Sequence, residues 1–338
     1  MNNKQWFKDA GFGMMIHFGL YSMLAGEYNG KRTDFVAEWA QSYFRIPNKE
    51  YERLAAAFNP IYFNADDWIK TALDAGMKYF VFTSKHHDGF AMYHSKVDKF
   101  NIVDATPFKR DITAEIAKSC YKHGMKLGLY YSHALDWHEE HGGGYNHPEW
   151  SEKYGLDGDP DKNFGNSWCN DWDFPNNRAK NFDICFKKKI KPQVKEILTQ
   201  YGELCLIWFD CPFSISIEQK AELCRMVRKY QPNCLIGSRI GEMAGTGCNY
   251  DYSSVGDNVI PDSFTDKNFL CESPTTLNDT WGYSASDQNW KSPEKVIEIK
   301  KHLNERGINY LLNIGPDGLG RFPAKSLEIL SEVGKNIL

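Results

Sequence analysis

Residues 78–88, KYFVFTSKHHD, pass from an almost wholly apolar run into a group of polar side chains. The same transition occurs at residues 204–210, LCLIWFD, where the apolar run ends in an aspartate. A segment with helical spacing precedes the first run: in residues 64–75, Asn64 is a candidate N-cap, and Gly76 is a stop signal. Apolar strands that alternate with amphipathic helices are typical of a parallel sheet covered by helices.

The alternation continues along the whole chain. The predicted strands lie at residues 12–17, 78–83, 126–131, 204–209, 234–237, 268–271 and 308–312. The predicted helices lie at residues 64–75, 112–123, 190–201, 217–231, 293–305 and 325–338. About seven or eight such strands fit a (β/α) barrel better than an open doubly wound sheet. The sequence also lacks the GxGxxG and GxxxxGK(S/T) motifs of nucleotide-binding sheets.

We therefore expect an α/β fold, a TIM-like (β/α)-barrel with an irregular strand and helix pattern, as a single domain over residues 1–338. Residues 138–180 form a long loop insertion rich in Gly, Asn and Trp. Because a loop of this length in a compact domain is usually functional, we expect it on the barrel face that carries the site.

The composition excludes several classes of protein. The 40 Lys and Arg against 44 Asp and Glu give a formal net charge of −4, which offers no basic surface for nucleic acid or an anionic membrane. The sequence has no apolar run of ~18 residues, so we expect no transmembrane helix. The N-terminus has no apolar signal-peptide core, which favours a cytoplasmic location. Nine cysteines without a CxxC pair predict reduced, mostly buried thiols rather than a disulfide framework.

Polar residues follow the predicted strands at the point where each strand ends. They are His17, residues 85–88, residues 131–133, Asp210, Arg239, Glu272 and Asn313. Any one of them alone is compatible with a structural hydrogen bond. Because the carboxyl ends of parallel barrel strands converge on one face, the whole set predicts a functional pocket there.

Asp210 is the most informative of these residues. A carboxylate at the end of an apolar strand is poorly solvated, which favours either an ion pair or a charge kept for chemistry. Arg239, one strand later, is the natural partner, and a purely structural Asp–Arg bridge is the alternative.

The adjacent histidines at positions 86 and 87 raise the question of a metal site. Neighbouring histidines point in different directions, and no HExxH or CxxC motif accompanies them, although a barrel can gather ligands from separate strands. We expect no metal and no other cofactor. The other interpretation is that neutral imidazoles bind sugar hydroxyls, and the aromatic content of 14% would suit the apolar face of a sugar ring.

Several segments, in the correct order along the chain, resemble the α-L-fucosidases of glycoside hydrolase family 29. They are MMIHFGLYS at 14–22, AEW at 37–39, DAGMKYFVFTSKHHDGF at 74–90, GLYYS at 128–132, WFD at 208–210, WGY at 281–283 and LLNIGP at 311–316. The KHHDGF segment is the most specific of them. The resemblance covers essentially the whole chain.

The resemblance implies a retaining exo-glycosidase that removes terminal α-L-fucose from a fucosylated oligosaccharide or glycoconjugate. It implies that Asp210 is the nucleophile and that Trp281 packs against the apolar side of the sugar. The residues that it implies for holding the fucose are His17, Glu38, Trp39, His86, His87, Tyr131 and Arg239. Family members often carry a C-terminal β-sandwich, which we expect to be absent here because the last predicted helix ends at Leu338.

The general acid/base has two candidates. Many family members carry a Glu in a segment like GDYxTPE, but residues 249–258 read NYDYSSVGDN here and contain no Glu. Asp257 lies where some members place an Asp, and Glu272 is the rival. We favour Asp257, because a residue on a loop can follow the leaving group.

Other functions stay open at this point. An inactive fucose-binding barrel, a barrel glycosidase for another sugar and a metal-dependent hydrolase are the alternatives. The acceptor preference depends on the loops at 138–180 and 240–265. Trp137, Trp150, Trp168 and Trp172 could form an acceptor subsite, although core packing explains them equally well.

Overall fold

The computed structural model describes residues 4–146, 168–263 and 270–337. Its centre is an eight-stranded sheet in which every pair of neighbouring strands is parallel. The strands are β1 (Phe12–Ile16), β2 (Tyr79–Lys85), β3 (Lys126–Ser132), β4 (Leu206–Asp210), β5 (Leu235–Ile236), β6 (Tyr252–Ser254), β7 (Leu270–Thr276) and β8 (Ile308–Ile314). A short antiparallel pair, Glu27–Tyr28 with Lys31–Arg32, lies outside this sheet.

The sheet closes into a barrel. The strands follow one another in space in the order β5, β4, β3, β2, β1, β8, β7, β6. A parallel bridge between Gly237 and Tyr252 joins the two outer strands. The predicted TIM-like barrel is therefore confirmed.

The helices cover the outside of the barrel. They are α1 (Gln5–Ala10), α2 (Tyr21–Leu24), α3 (Ala40–Tyr43), α4 (Asn48–Ala57), α5 (Ala65–Asp74), α6 (Ile112–His123), α7 (Phe182–Cys185), α8 (Lys191–Gln200), α9 (Ile217–Tyr230), α10 (Pro293–Asn304) and α11 (Ala324–Ile337). The predicted cap of α5 is confirmed, because the Asn64 side chain accepts hydrogen bonds from the amides of Asp66 and Asp67. Gly124 ends α6 with a φ of 69°, a left-handed conformation that glycine adopts without strain.

Two sets of buried side chains alternate along the strands. In β4, Leu206 and Trp208 belong to an apolar cluster inside the barrel, whereas Ile207 and Phe209 belong to the larger cluster between strands and helices. The same alternation places Asp210 on the interior side, because successive side chains of a strand point to opposite faces.

Several elements differ from the sequence prediction. Strand β6 was not predicted because it is only three residues long, and helices α1, α2, α3, α4 and α7 were not predicted either. The predicted strand at 268–271 continues to Thr276, while its residues 268–269 lie outside the described residues. Glu272 therefore lies in the first half of β7 rather than at its end, which corrects the sequence prediction.

The cysteines and the lengths of the helices bear on two predictions from composition. All nine cysteines are free, and seven of them are buried, as expected for mostly buried thiols. In the described part of the chain, no helix combines the length and the apolar character that crossing a membrane would require.

Candidate active site

A pocket of about 740 Å³ opens at the carboxyl ends of the barrel strands. Nine of the predicted site residues line it. They are His17, Glu38, Trp39, His86, His87, Asp210, Arg239, Asp257 and Trp281. The pocket therefore lies on the face that the strand ends predicted. Tyr131 and Glu272 are the two predicted site residues that do not line it.

Asp210 lies at the end of β4 with its carboxylate surrounded by donors. Its Oδ2 accepts a hydrogen bond from the Tyr130 hydroxyl at 2.8 Å, and its Oδ1 lies 3.3 Å from Nη1 of Arg239. Burial opposes ionisation, but the positive charge of Arg239 and the Tyr130 hydrogen bond hold the pKa of Asp210 below its usual value. The carboxylate is therefore ionised at neutral pH.

Arg239 contacts both Asp210 and Asp257. It lies in the single turn Ser238–Ile240 that follows β5, and its guanidinium packs over the Trp208 ring at 4.5 Å. Nη1 contacts Asp210, and Nη2 forms a short ion pair with Asp257. The aromatic ring fixes the plane of the guanidinium from below, so a single cation links the two carboxylates.

Asp257 differs from Asp210 in its surroundings. Its side chain is 53% exposed, compared with 14% for Asp210, and it lies on the loop after β6. Partial burial and the negative charge of Asp210 raise the pKa of Asp257, although Arg239 acts in the opposite direction. Environments that push the pKa values of two carboxyl groups apart are typical of an acid/base and nucleophile pair.

Glu272 lies inside the barrel, beneath the pocket. Its Oε1 accepts a hydrogen bond from Trp208 Nε1 at 2.9 Å, and its Oε2 accepts one from the Tyr79 hydroxyl at 2.8 Å. Burial raises its pKa to about 7, which would suit an acid. Both oxygens are nevertheless occupied by protein donors, and Trp208, which does line the pocket, lies between Glu272 and the pocket. Of the two acid/base candidates, the geometry therefore favours Asp257 over Glu272.

The tautomer of His87 follows from its partner Ser132. The Ser132 hydroxyl donates to the Leu135 carbonyl at 2.9 Å, so it has no second proton to offer. His87 Nδ1, 2.7 Å from the same oxygen, must therefore carry a proton and donate it. Burial lowers the pKa of His87 to about 3, and the neutral ring presents an unprotonated Nε2 toward Asp210 at 3.7 Å.

His17 is held in the same way by Asn313. The Asn313 amide donates to the Trp281 carbonyl at 2.7 Å, which turns its oxygen toward His17 Nδ1, also at 2.7 Å. His17 Nδ1 therefore donates, and its Nε2 is left as an acceptor. Burial lowers the pKa of His17 to about 4. His86 stacks on the Tyr130 ring at 5.7 Å, and burial also keeps its pKa well below the usual value.

Glu38 connects the segment 37–39 with the segment 281–283 by hydrogen bonds. Its Oε2 accepts hydrogen bonds from the Gly282 amide at 2.7 Å and from Thr280 Oγ1 at 3.4 Å. Burial raises the pKa of Glu38 to about 7. The residue thus fixes the turn Ala37–Trp39 against the loop that carries Trp281.

Tyr130 takes the position that the sequence analysis gave to Tyr131. The Tyr131 hydroxyl donates to Gln193 Oε1 at 2.8 Å, on the helix side of the barrel wall. Tyr130 points inward and reaches Asp210. Alternation along β3 could have identified Tyr130. Residues two apart in a strand point to the same face, and Ser132, two residues after Tyr130, contacts His87 on the interior side.

The four tryptophans of the proposed acceptor subsite separate into different environments. Trp168 lines the pocket and packs against Trp39 and Phe213, with ring centroids 5.5 and 4.4 Å apart. Trp137 is fully buried, and Trp172 donates to the Ile46 carbonyl, so both contribute to packing. Trp150 lies outside the described residues.

The chain is similar to known proteins over nearly its whole length. The family model described as alpha-L-fucosidase matches residues 1–337. A putative alpha-L-fucosidase of Caenorhabditis elegans is 27% identical over 98% of this chain and 64% of its own length, and the tissue alpha-L-fucosidase of Rattus norvegicus is 26% identical over 98% and 67%. The chain thus spans about two thirds of the length of these relatives.

Solved structures are similar over nearly the whole chain. The alpha-L-fucosidase AlfC of Lactobacillus casei, in complex with its α-L-fucose product, is 50% identical with a TM-score of 0.90, covering 99% of this chain and 98% of AlfC. The alpha-L-fucosidase of Vibrio sp. strain EJY3 is 38% identical with a TM-score of 0.88, covering 99% of this chain and 55% of that protein. The chain belongs to the α-L-fucosidase family.

Proposed function

We propose that this protein is a retaining exo-α-L-fucosidase, a glycoside hydrolase that uses Asp210 as nucleophile and Asp257 as general acid/base. The observation that carries the proposal is the arrangement of two carboxylates with opposite pKa shifts around one guanidinium, at the base of a pocket lined by neutral histidines and tryptophans. Retaining glycosidases need such a pair at ~5–5.5 Å, one carboxylate ionised and the other protonated.

In the first step, the ionised Asp210 carboxylate attacks the anomeric carbon of fucose. Asp257 gives its proton to the glycosidic oxygen, the bond to the aglycone breaks, and a fucosyl–Asp210 ester forms. In the second step, Asp257 takes a proton from a water molecule. The hydroxide attacks the same carbon, and the Asp210 carboxylate leaves with its electron pair, so the α configuration is kept.

The change in the role of Asp257 follows from its neighbours. In the free enzyme, the charge of Asp210 raises the pKa of Asp257 and favours the proton that the first step needs. The ester of the intermediate is neutral, so that contribution is lost and the positive charge of Arg239 dominates. The pKa of Asp257 then falls, and the group becomes the base of the second step.

The histidines suit the recognition of a sugar. With Nδ1 of His17 and of His87 donating to protein oxygens, each Nε2 accepts a hydrogen bond from a fucose hydroxyl. The Trp281 ring, 5.3 Å from His17, offers an apolar surface for the C–H face and methyl group of the deoxysugar. Trp39 and Trp168 lie at the pocket wall, where an aglycone would leave.

Similar proteins support a fucosylated glycan as the substrate. Mutants of the 50% identical AlfC have been solved with 4-nitrophenyl α-L-fucopyranoside and with Fuca(1,6)GlcNAc. Because 99% of this chain is covered in both comparisons, we propose the same class of substrate for it.

The test is hydrolysis of aryl glycosides by the purified chain. Release of nitrophenol from 4-nitrophenyl α-L-fucoside, with little or no release from the β-galactoside, is the expected result. Proton NMR of the first product should show α-L-fucose before mutarotation. Binding of L-fucose without nitrophenol release would instead identify an inactive fucose-binding barrel, and a β product would contradict the retaining mechanism.

A further inference from the structure

Three potential metal ligands converge just beyond the end of β4. They are Nε2 of His87, a carboxylate oxygen of Asp210 and Sγ of Cys211, and all three atoms lie within 4.8 Å of one another. His87 Nε2 is 3.7 Å from Cys211 Sγ and 3.7 Å from Asp210 Oδ2. The mechanism above gives no role to Cys211.

These separations are close to those of a tetrahedral site. Zinc bonds of about 2.3 Å to sulfur and about 2.0–2.1 Å to nitrogen or oxygen place neighbouring ligand atoms roughly 3.4–3.6 Å apart. The two distances from His87 Nε2 exceed that range only slightly, and the ligand atoms of Asp210 and Cys211 lie within 4.8 Å of each other. A small inward movement of the side chains would bring all three atoms to bonding distance of one ion.

The hydrogen bonds around the three residues also suit a cation. Because His87 donates from Nδ1 to Ser132, its Nε2 lone pair is directed at the site, which is the arrangement that metal-binding histidines use. Oδ2 of Asp210 accepts from Tyr130, whereas Arg239 contacts the other oxygen. A carboxylate oxygen has a second lone pair, which a cation can use. The negative charge of Asp257 offsets the charge of Arg239 nearby.

The backbone of Cys211 adds an independent observation. Its φ is 51°, in the left-handed region that glycine adopts freely and that costs other residues of order 1 kcal/mol or more. Even so, the chain carries a thiol at this position, and the thiol lines the pocket. A strained conformation that is kept beside the reacting group points to a role for the side chain.

We propose that His87, Asp210 and Cys211 form a binding site for a soft divalent cation such as Zn²⁺, and that the bound ion blocks the nucleophile. On binding, the Cys211 thiol loses its proton to solvent, a metal–sulfur bond forms, and water ligands leave the ion, with no change of oxidation state. A water molecule completes four ligands. The inhibitory consequence rests on the proposed function, whereas the binding site itself does not.

Cobalt(II) titration of the full-length, reduced protein tests the site without turnover. The expected result is a near-ultraviolet thiolate-to-cobalt charge-transfer band, saturating at one ion per chain and abolished by excess Zn²⁺. Cys211→Ser should remove the band. Cys248→Ser is the matched control, because Cys248 is the only other cysteine of the nine that is not buried, and this variant should keep the band.

X-ray absorption of the zinc-loaded, unmodified protein provides a second measurement that needs no variant. One sulfur neighbour at about 2.3 Å together with nitrogen or oxygen neighbours at about 2.0–2.1 Å is expected. A shell of nitrogen and oxygen alone would overturn the proposal. So would a cobalt band that survives in Cys211→Ser, or the absence of any thiolate band.

Inhibition of 4-nitrophenyl α-L-fucoside cleavage connects the site to catalysis. Zn²⁺ should compete with the substrate, and Mg²⁺, which prefers oxygen ligands, should not inhibit. The apparent inhibition constant for Zn²⁺ should rise at least about tenfold in Cys211→Ser relative to that variant's own activity, since even an outer-shell partner is worth ~10–100-fold in metal affinity. Metal binding without fucoside cleavage would contradict only the proposed function, and cleavage without metal binding would contradict only the metal site.

Discussion

Tyr130 donates its hydroxyl proton to Oδ2 of Asp210 over 2.8 Å. The two residues lie on neighbouring strands, and both point into the barrel because Tyr130 pairs in register with Trp208, two residues before Asp210. A hydrogen bond to a charged group stabilises the charged form by about 1.5–3 kcal/mol. Tyr130 therefore helps to keep the nucleophile ionised within an apolar wall.

The first prediction concerns Tyr130→Phe. Loss of the hydrogen bond should raise the pKa of Asp210, so the acidic limb of the kcat/KM profile should move to higher pH by about one unit, since one pKa unit corresponds to about 1.4 kcal/mol. At neutral pH Asp210 stays ionised in both proteins, so kcat/KM should change much less there than on the acidic limb. Steady-state kinetics on an aryl fucoside across pH measure both effects.

Tyr131→Phe is the matched control for that change. It removes a hydroxyl that contacts Gln193 behind the barrel wall, so the acidic limb should stay where it is in the unmodified protein. A shifted limb in Tyr131→Phe together with an unshifted one in Tyr130→Phe would refute the assignment of the inward-facing tyrosine.

The second prediction identifies the acid/base. Asp257→Ala should lose far more activity on substrates with poor leaving groups than on 4-nitrophenyl α-L-fucoside, because only the former need protonation. Azide should accelerate this variant and give α-L-fucosyl azide, with retained configuration. Asp210→Gly with azide should give the β anomer, because azide then attacks once, directly.

Glu272→Gln separates the rival acid from Asp257. Glu272 accepts hydrogen bonds from Trp208 and Tyr79 inside the barrel. The glutamine amide that replaces its carboxylate should therefore lower thermal stability without making the rate more dependent on the leaving group. Azide should not rescue it. A fucosyl azide formed by the Glu272 variant, and not by Asp257→Ala, would move the acid/base role to Glu272.

The third prediction concerns Ser132. Ser132→Ala leaves the buried Nδ1–H of His87 without an acceptor, which costs about 1–3 kcal/mol and removes the constraint on the tautomer. The inhibition constant of L-fucose should rise by about fivefold or more. Ser132→Thr keeps the hydroxyl and should restore binding, which a purely steric role for the serine would not explain. Nitrogen-15 NMR of labelled histidine should show the Nδ1–H form of His87 in the unmodified protein.

The fourth prediction concerns a buried ion cluster beside the pocket. Asp136 is fully buried and contacts Nζ of Lys85 at 2.9 Å and Nζ of Lys189 at 3.2 Å. Burial opposes ionisation, but Lys189 and Lys85 together hold the pKa of Asp136 at about 2. Asp136→Asn removes the carboxylate that the structure pairs with the buried Lys85 ammonium, whereas Lys189 keeps Asp98 and Glu139 as partners. The free energy of unfolding should fall by about 3–5 kcal/mol at pH 7.

The pH dependence of that loss follows from the lowered pKa. The stabilisation by Asp136 is fully present above its unfolded value near 3.8 and disappears as pH falls through about 2. The difference in melting temperature between the two proteins should therefore be constant from pH 5 to neutral pH and shrink only in strong acid. An unchanged melting temperature at pH 7 would contradict a stabilising role of the cluster.

Most of the barrel could be predicted because its signals are local. Helices α5 and α6 begin at Asn64 and Asp111, whose side chains cap the first turn, and they end next to glycines. Strand β6 could not be predicted in this way. It has only three residues, of which Ser253 and Ser254 are polar, and it is a strand because its neighbours β7 and Gly237 supply hydrogen bonds.

The site was predictable as a set of strand ends but not in its details. The sequence indicated that polar groups would converge, and nine of the proposed residues do line one pocket. It could not show that β7 continues past Glu272. Ser273, Thr275 and Thr276 are polar and give no apolar strand signal, and they are buried only because the barrel surrounds them. Nor could it show that Arg239 contacts two carboxylates, since Asp257 lies on a loop of no regular period.

The central claim is that Asp210 forms a covalent bond to fucose. The most direct test is to treat the protein with a 2-deoxy-2-fluoro-α-L-fucosyl donor that carries a good leaving group, followed by intact-mass spectrometry and peptide mapping. The account predicts an increase by one fluorofucosyl group, located on Asp210 in the peptide containing residues 204–210 and absent from Asp210→Asn. A label on another side chain, or an enzyme that turns over fucosides and never acquires the label, would contradict it.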